Sequence, residues 1–114
     1  MIAVIFELEP APGATQAYFD HAAALRPELE QMDGFVSVER FESRSRPGRY
    51  LSLSFWRDEA AVRAWRCQPR HRTAQQDARN RVLADYRLRV AAVVRDYGLH
   101  ARDQVPVDAL TALT

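Results

Sequence analysis

The chain has 114 residues, of which 47% are hydrophobic and 27% are charged, and its formal net charge is +1. A chain of this length forms one domain whose core needs neither disulfides nor a structural metal. The near-neutral charge gives no general attraction to nucleic acid or to a membrane surface, so we expect neither as a partner. The single cysteine excludes an internal disulfide and favours a reducing compartment.

The first predicted element is a strand over residues 2–8, which are rich in β-branched and aromatic side chains and are followed by EPAPG. The first ten residues carry neither the basic start nor the cleavage site of a secretory signal. Their apolar run is also too short to span a bilayer. We therefore expect a cytoplasmic protein.

A helix is predicted next, from about Ala14 to Met32. Its apolar residues recur at steps of 4, 3, 4 and 3, which places them on one face of the helix. They are Tyr18, Ala22, Leu25, Leu29 and Met32. Pro27 removes a backbone donor, so we expect a kink or a restart there.

Two alternating segments, Phe35–Glu42 and Arg49–Trp56, are predicted to form strands joined by the polar turn SRSRPG. In the second segment Leu51, Leu53 and Phe55 share one face, and Tyr50, Ser52, Ser54 and Trp56 share the other. Helices can cover only one side of such a sheet. We expect the uncovered side to carry Ser52, Ser54, Trp56, Ala91 and Val93, and a second copy of the chain to cover it.

The remaining elements complete a recognisable order. Asp58 is a suitable N-cap for a short helix through Trp65, and Pro69 suits the first turn of another helix that runs to about Asp85. A last strand is predicted over Tyr86–Tyr97. The order β-α-β-β-α-α-β is that of an α+β, ferredoxin-like fold, and we expect a symmetric homodimer with facing sheets. We assign residues 1–97 to this domain and residues 98–114 to a weakly structured tail.

A candidate site lies around the predicted second and third helices. His71 shares a helical stripe with Ala74, Ala78 and Val82, and Gln75 and Arg79 flank that stripe. Trp65 faces inward at the end of the short helix. A ring, an imidazole and a guanidinium at the rim of an apolar cavity suit a planar, anionic or acidic ligand. The alternative is that Trp65 only fills the core and that His71 only binds a backbone carbonyl.

Other reactive residues carry weaker signals. Cys67 lies among arginines, but no Asn or Asp is placed to make a papain-like arrangement recognisable, so we interpret it as an inert surface thiol. The three histidines have no spacing typical of metal ligands, and the four glycines form no phosphate-binding loop. We therefore expect neither a metal nor a nucleotide cofactor.

The segments SFWRDEAAVRAW, HRTAQQDAR and YRLRVAAVVRDYG, in this order of elements, resemble the antibiotic biosynthesis monooxygenase domain family, which includes haem-degrading monooxygenases. The resemblance spans residues 1–97 and implies a protomer that dimerises into an α+β barrel, with a pocket between the sheet and the helices. It further implies a cofactor-independent monooxygenase that oxidises a phenolic, quinol or polyketide-type aromatic molecule with O₂. Within that scheme Trp65, His71 and Arg79 are the catalytic candidates.

The same resemblance implies further candidate roles. Gln75, Arg72 and Trp56 are candidates for contact with the substrate. In the haem-degrading branch His71 matches the axial iron ligand and Trp65 matches the residue that packs on the porphyrin, so haem is the alternative cofactor. That branch has an asparagine in the first strand where this chain offers Glu7, and its helix after the tryptophan is longer. A third possibility is a ligand-binding or stress-related module of the same fold without enzymatic activity.

Overall fold

The apolar residues at the start of the chain form strand β1 (Ile2–Pro10), which lies in the interior of a four-stranded antiparallel sheet. A computed structural model describes residues 1–68 and 82–109. The other strands are β2 (Phe35–Glu42), β3 (Tyr50–Trp56) and β4 (Leu83–Ala92), in the spatial order β2-β3-β1-β4. Because β3 lies between β1 and β2, the chain must cross one strand on its way from β1 to β2. The predicted ferredoxin-like α+β fold is confirmed.

Two helices pack on the same side of this sheet. Helix α1 (Thr15–Glu30) makes the crossover from β1 to β2, and helix α2 (Glu59–Arg66) follows β3. The predicted apolar stripe of α1 packs inward: Tyr18 and Leu29 are buried, and Leu25 and Met32 contact the core. We call the side of the sheet under α1 and α2 the inner face and the opposite side the outer face.

The core consists of two clusters between the helices and the inner face. The first contains Leu29, Trp56, Ala61, Val62 and Trp65, and the second contains Leu8, Tyr18 and Val82. Leu8 has no exposed surface, and Trp56 is 2% exposed. Burying side chains of this size contributes about 1.5–3 kcal/mol each, so these clusters hold the helices on the sheet.

One sequence prediction about the faces is wrong. We expected Ser52, Ser54 and Trp56 on the side without helices, but Trp56 packs against α2 on the inner face. The outer face carries Leu51, Leu53 and Phe55 from β3 instead, paired with Glu7, Ile5 and Ala3 of β1. Ala91, which pairs with Ala3, is on the outer face as predicted. Both sets of β3 residues can pack against a neighbour, so alternation alone did not identify the covered one.

Three boundaries also differ from the predictions. Helix α1 ends at Glu30, two residues before the predicted end, and it continues through Pro27, so of the predicted kink or restart the restart does not occur. The predicted helix from Pro69 lies mostly outside the described residues, but it does not reach Asp85, because β4 begins at Leu83. Strand β4 ends at Ala92, five residues before the predicted end, although the backbone N–H of Val93 still bonds the carbonyl of Met1. In the tail, a short 3₁₀ helix spans Val107–Ala109.

Candidate active-site pocket

A cavity of about 290 Å³ lies between the inner face and helices α1 and α2. This volume is near the low end of the roughly 300–1,000 Å³ that pockets for small organic ligands occupy. Its walls are mainly apolar and come from all four strands and both helices. The apolar lining includes Val4, Phe6, Leu25, Leu29, Val38, Trp56, Val62, Trp65, Leu88 and Val90.

The two tryptophans of the chain both line this cavity. Trp56 closes β3, and its indole N–H donates to the hydroxyl of Ser54 at 2.9 Å. Trp65 lies in the last turn of α2 and is 9% exposed. A buried indole that has its N–H satisfied presents an apolar ring face to the cavity. The predicted inward orientation of Trp65, beside Ala61 and Val62, is confirmed.

Local interactions at the start of α2 fix the position of Trp65. Asp58 caps the helix by accepting from the backbone N–H of Ala61 at 2.9 Å, as the sequence predicted. Arg57 donates to both carboxylate oxygens of Asp33, at 3.1 and 3.0 Å, and to Asp58 at 3.2 Å. The bonds to the Arg57 guanidinium lower the pKa of Asp33. The Ala61 N–H, and after it Arg57, lower the pKa of Asp58, so both carboxylates stay charged at neutral pH.

Polar side chains from both helices and from two strands interrupt the apolar wall of the pocket. Arg40 of β2, Ser52 and Ser54 of β3, His21 of α1 and Arg66 of α2 all reach the cavity. The Nε of Arg40 donates to the hydroxyl of the buried Tyr18 at 3.5 Å, the long end of hydrogen-bond distances. Among the described residues, no carboxylate lines the cavity. The described part of the pocket wall therefore has positive charge that no carboxylate of that part balances.

The predicted site residues fall into two groups. Trp65 and Trp56 line the cavity, and the structure brings them to the same end of it through the shared core cluster. His71, Arg72, Gln75 and Arg79 lie outside the described residues, so their positions remain predictions. Val82, which was predicted to share a stripe with His71, is buried and lines the cavity.

Glu7 does not reach the pocket. It lies on the outer face, where its carboxylate accepts from Arg89 at 2.7 Å and pairs with Arg49 at 3.5 Å. Its neighbours Phe6 and Leu8 point to the inner face instead. The first-strand residue that we compared with the asparagine of the haem-degrading branch is therefore part of an ion-pair network away from the cavity.

Sequence reasoning missed the polar residues of the pocket, and above all Arg40 and Tyr18. The sequence contains a pattern that bears on the position of each. Tyr18 belongs to the predicted apolar stripe of α1, and Arg40 shares the inward-facing side of β2 with Val38. A single arginine on a strand with an alternating pattern is expected to face solvent as long as the face covered by the helices is not known.

Within residues 1–68 and 82–109, the helices are too short or too polar to cross a membrane.

Comparisons with known proteins agree with this fold. A family model described as antibiotic biosynthesis monooxygenase matches residues 1–77. The chain is 50% identical over 93 residues to a Pyricularia oryzae protein described as jasmonate monooxygenase ABM; the match covers 82% of this chain and 43% of that protein. This chain therefore spans less than half the length of that relative.

Solved structures are similar in fold. A Deinococcus radiodurans protein assigned to the antibiotic biosynthesis monooxygenases has a TM-score of 0.75 at 16% identity, covering 86% of this chain and 97% of that one. The protein Rv0793 of Mycobacterium tuberculosis has a TM-score of 0.75 at 21% identity, covering 85% and 98%. Together with the family match over most of the chain, these findings show that it belongs to the antibiotic biosynthesis monooxygenase family.

Proposed function

We propose that the chain is a monooxygenase that oxidises a small, mainly apolar organic molecule held in the cavity under Trp56 and Trp65. The observation that carries this proposal is the cavity itself, about 290 Å³ in volume, with its two indoles and its largely aliphatic walls. Such a site holds the hydrocarbon part of a ligand against apolar walls and limits its orientation, which favours the insertion of one oxygen atom from O₂ at one position.

Jasmonate is the first candidate substrate. The Pyricularia oryzae relative, described as acting on jasmonate, is 50% identical over 93 residues. Jasmonate is a cyclopentanone with a short hydrocarbon arm and a carboxylate arm, so it matches an apolar cavity that has cationic groups in its wall. Its hydroxylation follows RH + O₂ + 2e⁻ + 2H⁺ → ROH + H₂O. A two-electron donor, such as a reduced nicotinamide, must therefore accompany this substrate.

A phenol, quinol or anthrone is the second candidate, and it is the substrate class that the family resemblance favours. The oxidation of an anthrone to an anthraquinone, in which a CH₂ group and O₂ give C=O and H₂O, needs no external electrons. No cofactor is needed in this case. We propose Trp65 as the stacking surface, with His71 handling the proton and Arg79 stabilising the anion.

An oxygen-labelling experiment separates these two candidates. Purified protein is incubated under ¹⁸O₂ with jasmonic acid or with an anthrone, each with and without NADPH. The proposal expects one labelled oxygen atom in the product, dependent on NADPH for jasmonate and independent of it for the anthrone. Trp65→Phe is expected to lower turnover about 10-fold or more because it changes the stacking surface. Arg44→Gln, a change in the β2–β3 turn, is the matched control.

Two other outcomes have a defined meaning. Binding of these compounds without oxygen uptake would contradict the proposed monooxygenase activity and support a ligand-binding module of the same fold. In the haem alternative, adding hemin gives a Soret band, and His71→Ala removes it. Absence of the band from wild-type protein would exclude haem binding through His71.

We also propose that two copies of the chain associate through the outer faces of their sheets, in the cytoplasm. Leu51, Leu53 and Phe55 form a continuous apolar strip there, and the core clusters under the helices include none of them. An apolar strip of this kind on a sheet is typical of a surface that another chain covers.

A further inference from the structure

The wall that the sheet contributes to the pocket has a polar side and an apolar side, and the pairing of the strands defines both. In one transverse row of the inner face, Arg40 of β2 pairs with Ser52 of β3, Ser52 pairs with Phe6 of β1, and Phe6 pairs with Leu88 of β4. The next row runs Val38, Ser54, Val4 and Val90. The polar groups therefore lie toward β2 and β3, and the hydrocarbon surface lies toward β1 and β4.

Arg40 is the basic residue that the described strands contribute to the cavity; His21 and Arg66 reach it from the helices. Arg40 is half-buried, and the hydroxyl of Tyr18 accepts from its Nε. Within the described parts of the chain, no carboxylate forms an ion pair with Arg40. Glu42, two positions further along the same side of β2, has its carboxylate turned to the hairpin, where it accepts from the backbone N–H of Gly48 at 3.0 Å.

A guanidinium in the wall of an apolar cavity offers an anionic ligand a partner that the apolar lining does not provide. The two terminal nitrogens of arginine form a fork that fits both oxygens of a carboxylate, and such charge-assisted pairs are the stronger hydrogen bonds in proteins. The Nε of Arg40 is directed to Tyr18, which restricts the orientation of the guanidinium plane. Ser52, the cross-strand neighbour, supplies a further hydroxyl at the same height of the sheet.

We propose that Arg40 is the specificity-determining residue of the pocket. It binds the carboxylate of the substrate, and the Tyr18 hydroxyl acts as a positioning group for its guanidinium. The hydrocarbon part of the same molecule then lies across Phe6 and Leu88. This inference rests on the proposed function, in that the ligand of the pocket is the molecule that is oxidised, and it narrows the substrate class to apolar carboxylic acids.

The test compares an acid with its ester. Binding of jasmonic acid and methyl jasmonate is followed by tryptophan fluorescence, because both tryptophans of the chain line the cavity. Wild type is expected to bind the acid more tightly than the ester. Arg40→Gln is expected to weaken the acid roughly 10- to 100-fold and to leave the ester nearly unchanged. Arg44→Gln removes the same charge outside the pocket and is expected to change neither.

Two conservative variants distinguish direct binding of the carboxylate by Arg40 from a role of Arg40 in maintaining the fold. Arg40→Lys keeps the positive charge but loses the paired terminal nitrogens of the guanidinium. It is expected to retain part of the preference for the acid that Arg40→Gln loses. Tyr18→Phe keeps the buried ring and is expected to weaken acid binding only several-fold. Circular dichroism and thermal unfolding of each variant check that the fold is intact. Equal effects of Arg40→Gln on acid and ester, no effect on either, or no binding of the acid to wild type would overturn the proposal.

A second pair of ligands distinguishes this inference from the proposed function. Decanoate and decanol differ in the carboxylate, and both lack the cyclopentanone of jasmonate and the ring of a phenol or anthrone, so their binding tests the anion site apart from the two candidate reactions. Arg40-dependent preference for decanoate, without labelled oxygen in any product, would reject the monooxygenase and retain the anion site. Oxygenation that is equally fast in wild type and in Arg40→Gln, with acid and ester alike, would retain the enzyme and reject Arg40 as the anchor.

Discussion

The two faces of the sheet are formed by alternate residues of the same strands, but they differ in how their charged residues are paired. Both faces are rich in apolar residues, and adjacent residues such as Phe55 and Trp56 belong to different faces. On the outer face the cation Arg89 is paired with Glu7 at 2.7 Å. On the inner face Arg40 has only the hydroxyl of Tyr18 within the described residues. Arg89 is thus balanced by a carboxylate of its own chain, whereas Arg40 has no carboxylate partner among residues 1–68 and 82–109, and the proposed carboxylate site rests on this contrast.

The sharpest test of this contrast is a pair of substitutions at neighbouring positions. Trp56→Ala is expected to lower the free energy of unfolding by about 3–5 kcal/mol, because a large ring that is 2% exposed leaves a cavity under α2. Phe55→Ala, on the outer face, is expected to cost about half as much or less at low protein concentration. Urea unfolding measures both. Equal losses in dilute protein would show that the outer face is as closely packed as the inner one.

Two glycines with nearly the same positive φ provide the next comparison. Gly34 and Gly48 have φ of +86° and +89°, where any other residue is strained. A Cβ on Gly34 would lie 2.6 Å from the Cβ of Ala61 in α2, whereas a Cβ on Gly48 meets nothing within 4 Å. We expect Gly34→Ala to cost about 2–4 kcal/mol, from strain and clash together, and Gly48→Ala about 1–2 kcal/mol, from strain alone. Thermal and urea unfolding measure the difference, and equal costs would mean that α2 can move aside.

The outer face is tested through association. Leu53→Arg places a charge in the middle of the apolar strip, opposite Glu39 of β2, so an ion pair within the chain offsets part of its cost. The variant is expected to fold as a monomer and the wild type to form a dimer, as measured by light scattering after gel filtration. Val107→Arg adds the same charge at a position that is 86% exposed and serves as the control. A monomeric wild type would contradict the proposed dimer.

The sequence predicted the helices and strands better than it predicted which face of the sheet the helices cover. The N-cap at Asp58 and the stripe of α1 depend on residues close together in the chain, and both are confirmed. Which face of β3 the helices cover is decided by pairing with β1, whose two faces are both apolar. The side of the sheet on which Arg40 lies relative to the helices depends on the same long-range pairing, so its position in the pocket was not predictable from the sequence of β2 alone. The roles of His71 and Arg79 remain predictions.

The smallest expected effect concerns the junction where β3 leaves the sheet and α2 begins to cover the inner face. Arg57 lies there and bonds both Asp33 and Asp58, and the pKa of each carboxyl is lowered. A carboxyl whose pKa is lowered by folding stabilises the fold above its ordinary pKa near 4, and this stabilisation disappears as the pH falls through the lowered value.

Arg57→Gln is therefore expected to have a lower melting temperature than wild type at pH 7, and the difference should shrink as the pH falls below about 4. The difference should also shrink with added salt, because these groups are exposed to solvent and screened. Part of the acid dependence should persist in the variant, since the strongest influence on Asp58 is the backbone N–H of Ala61, which the substitution retains. A difference that stays constant from pH 7 to pH 2 would mean that Arg57 stabilises the junction by packing rather than by charge.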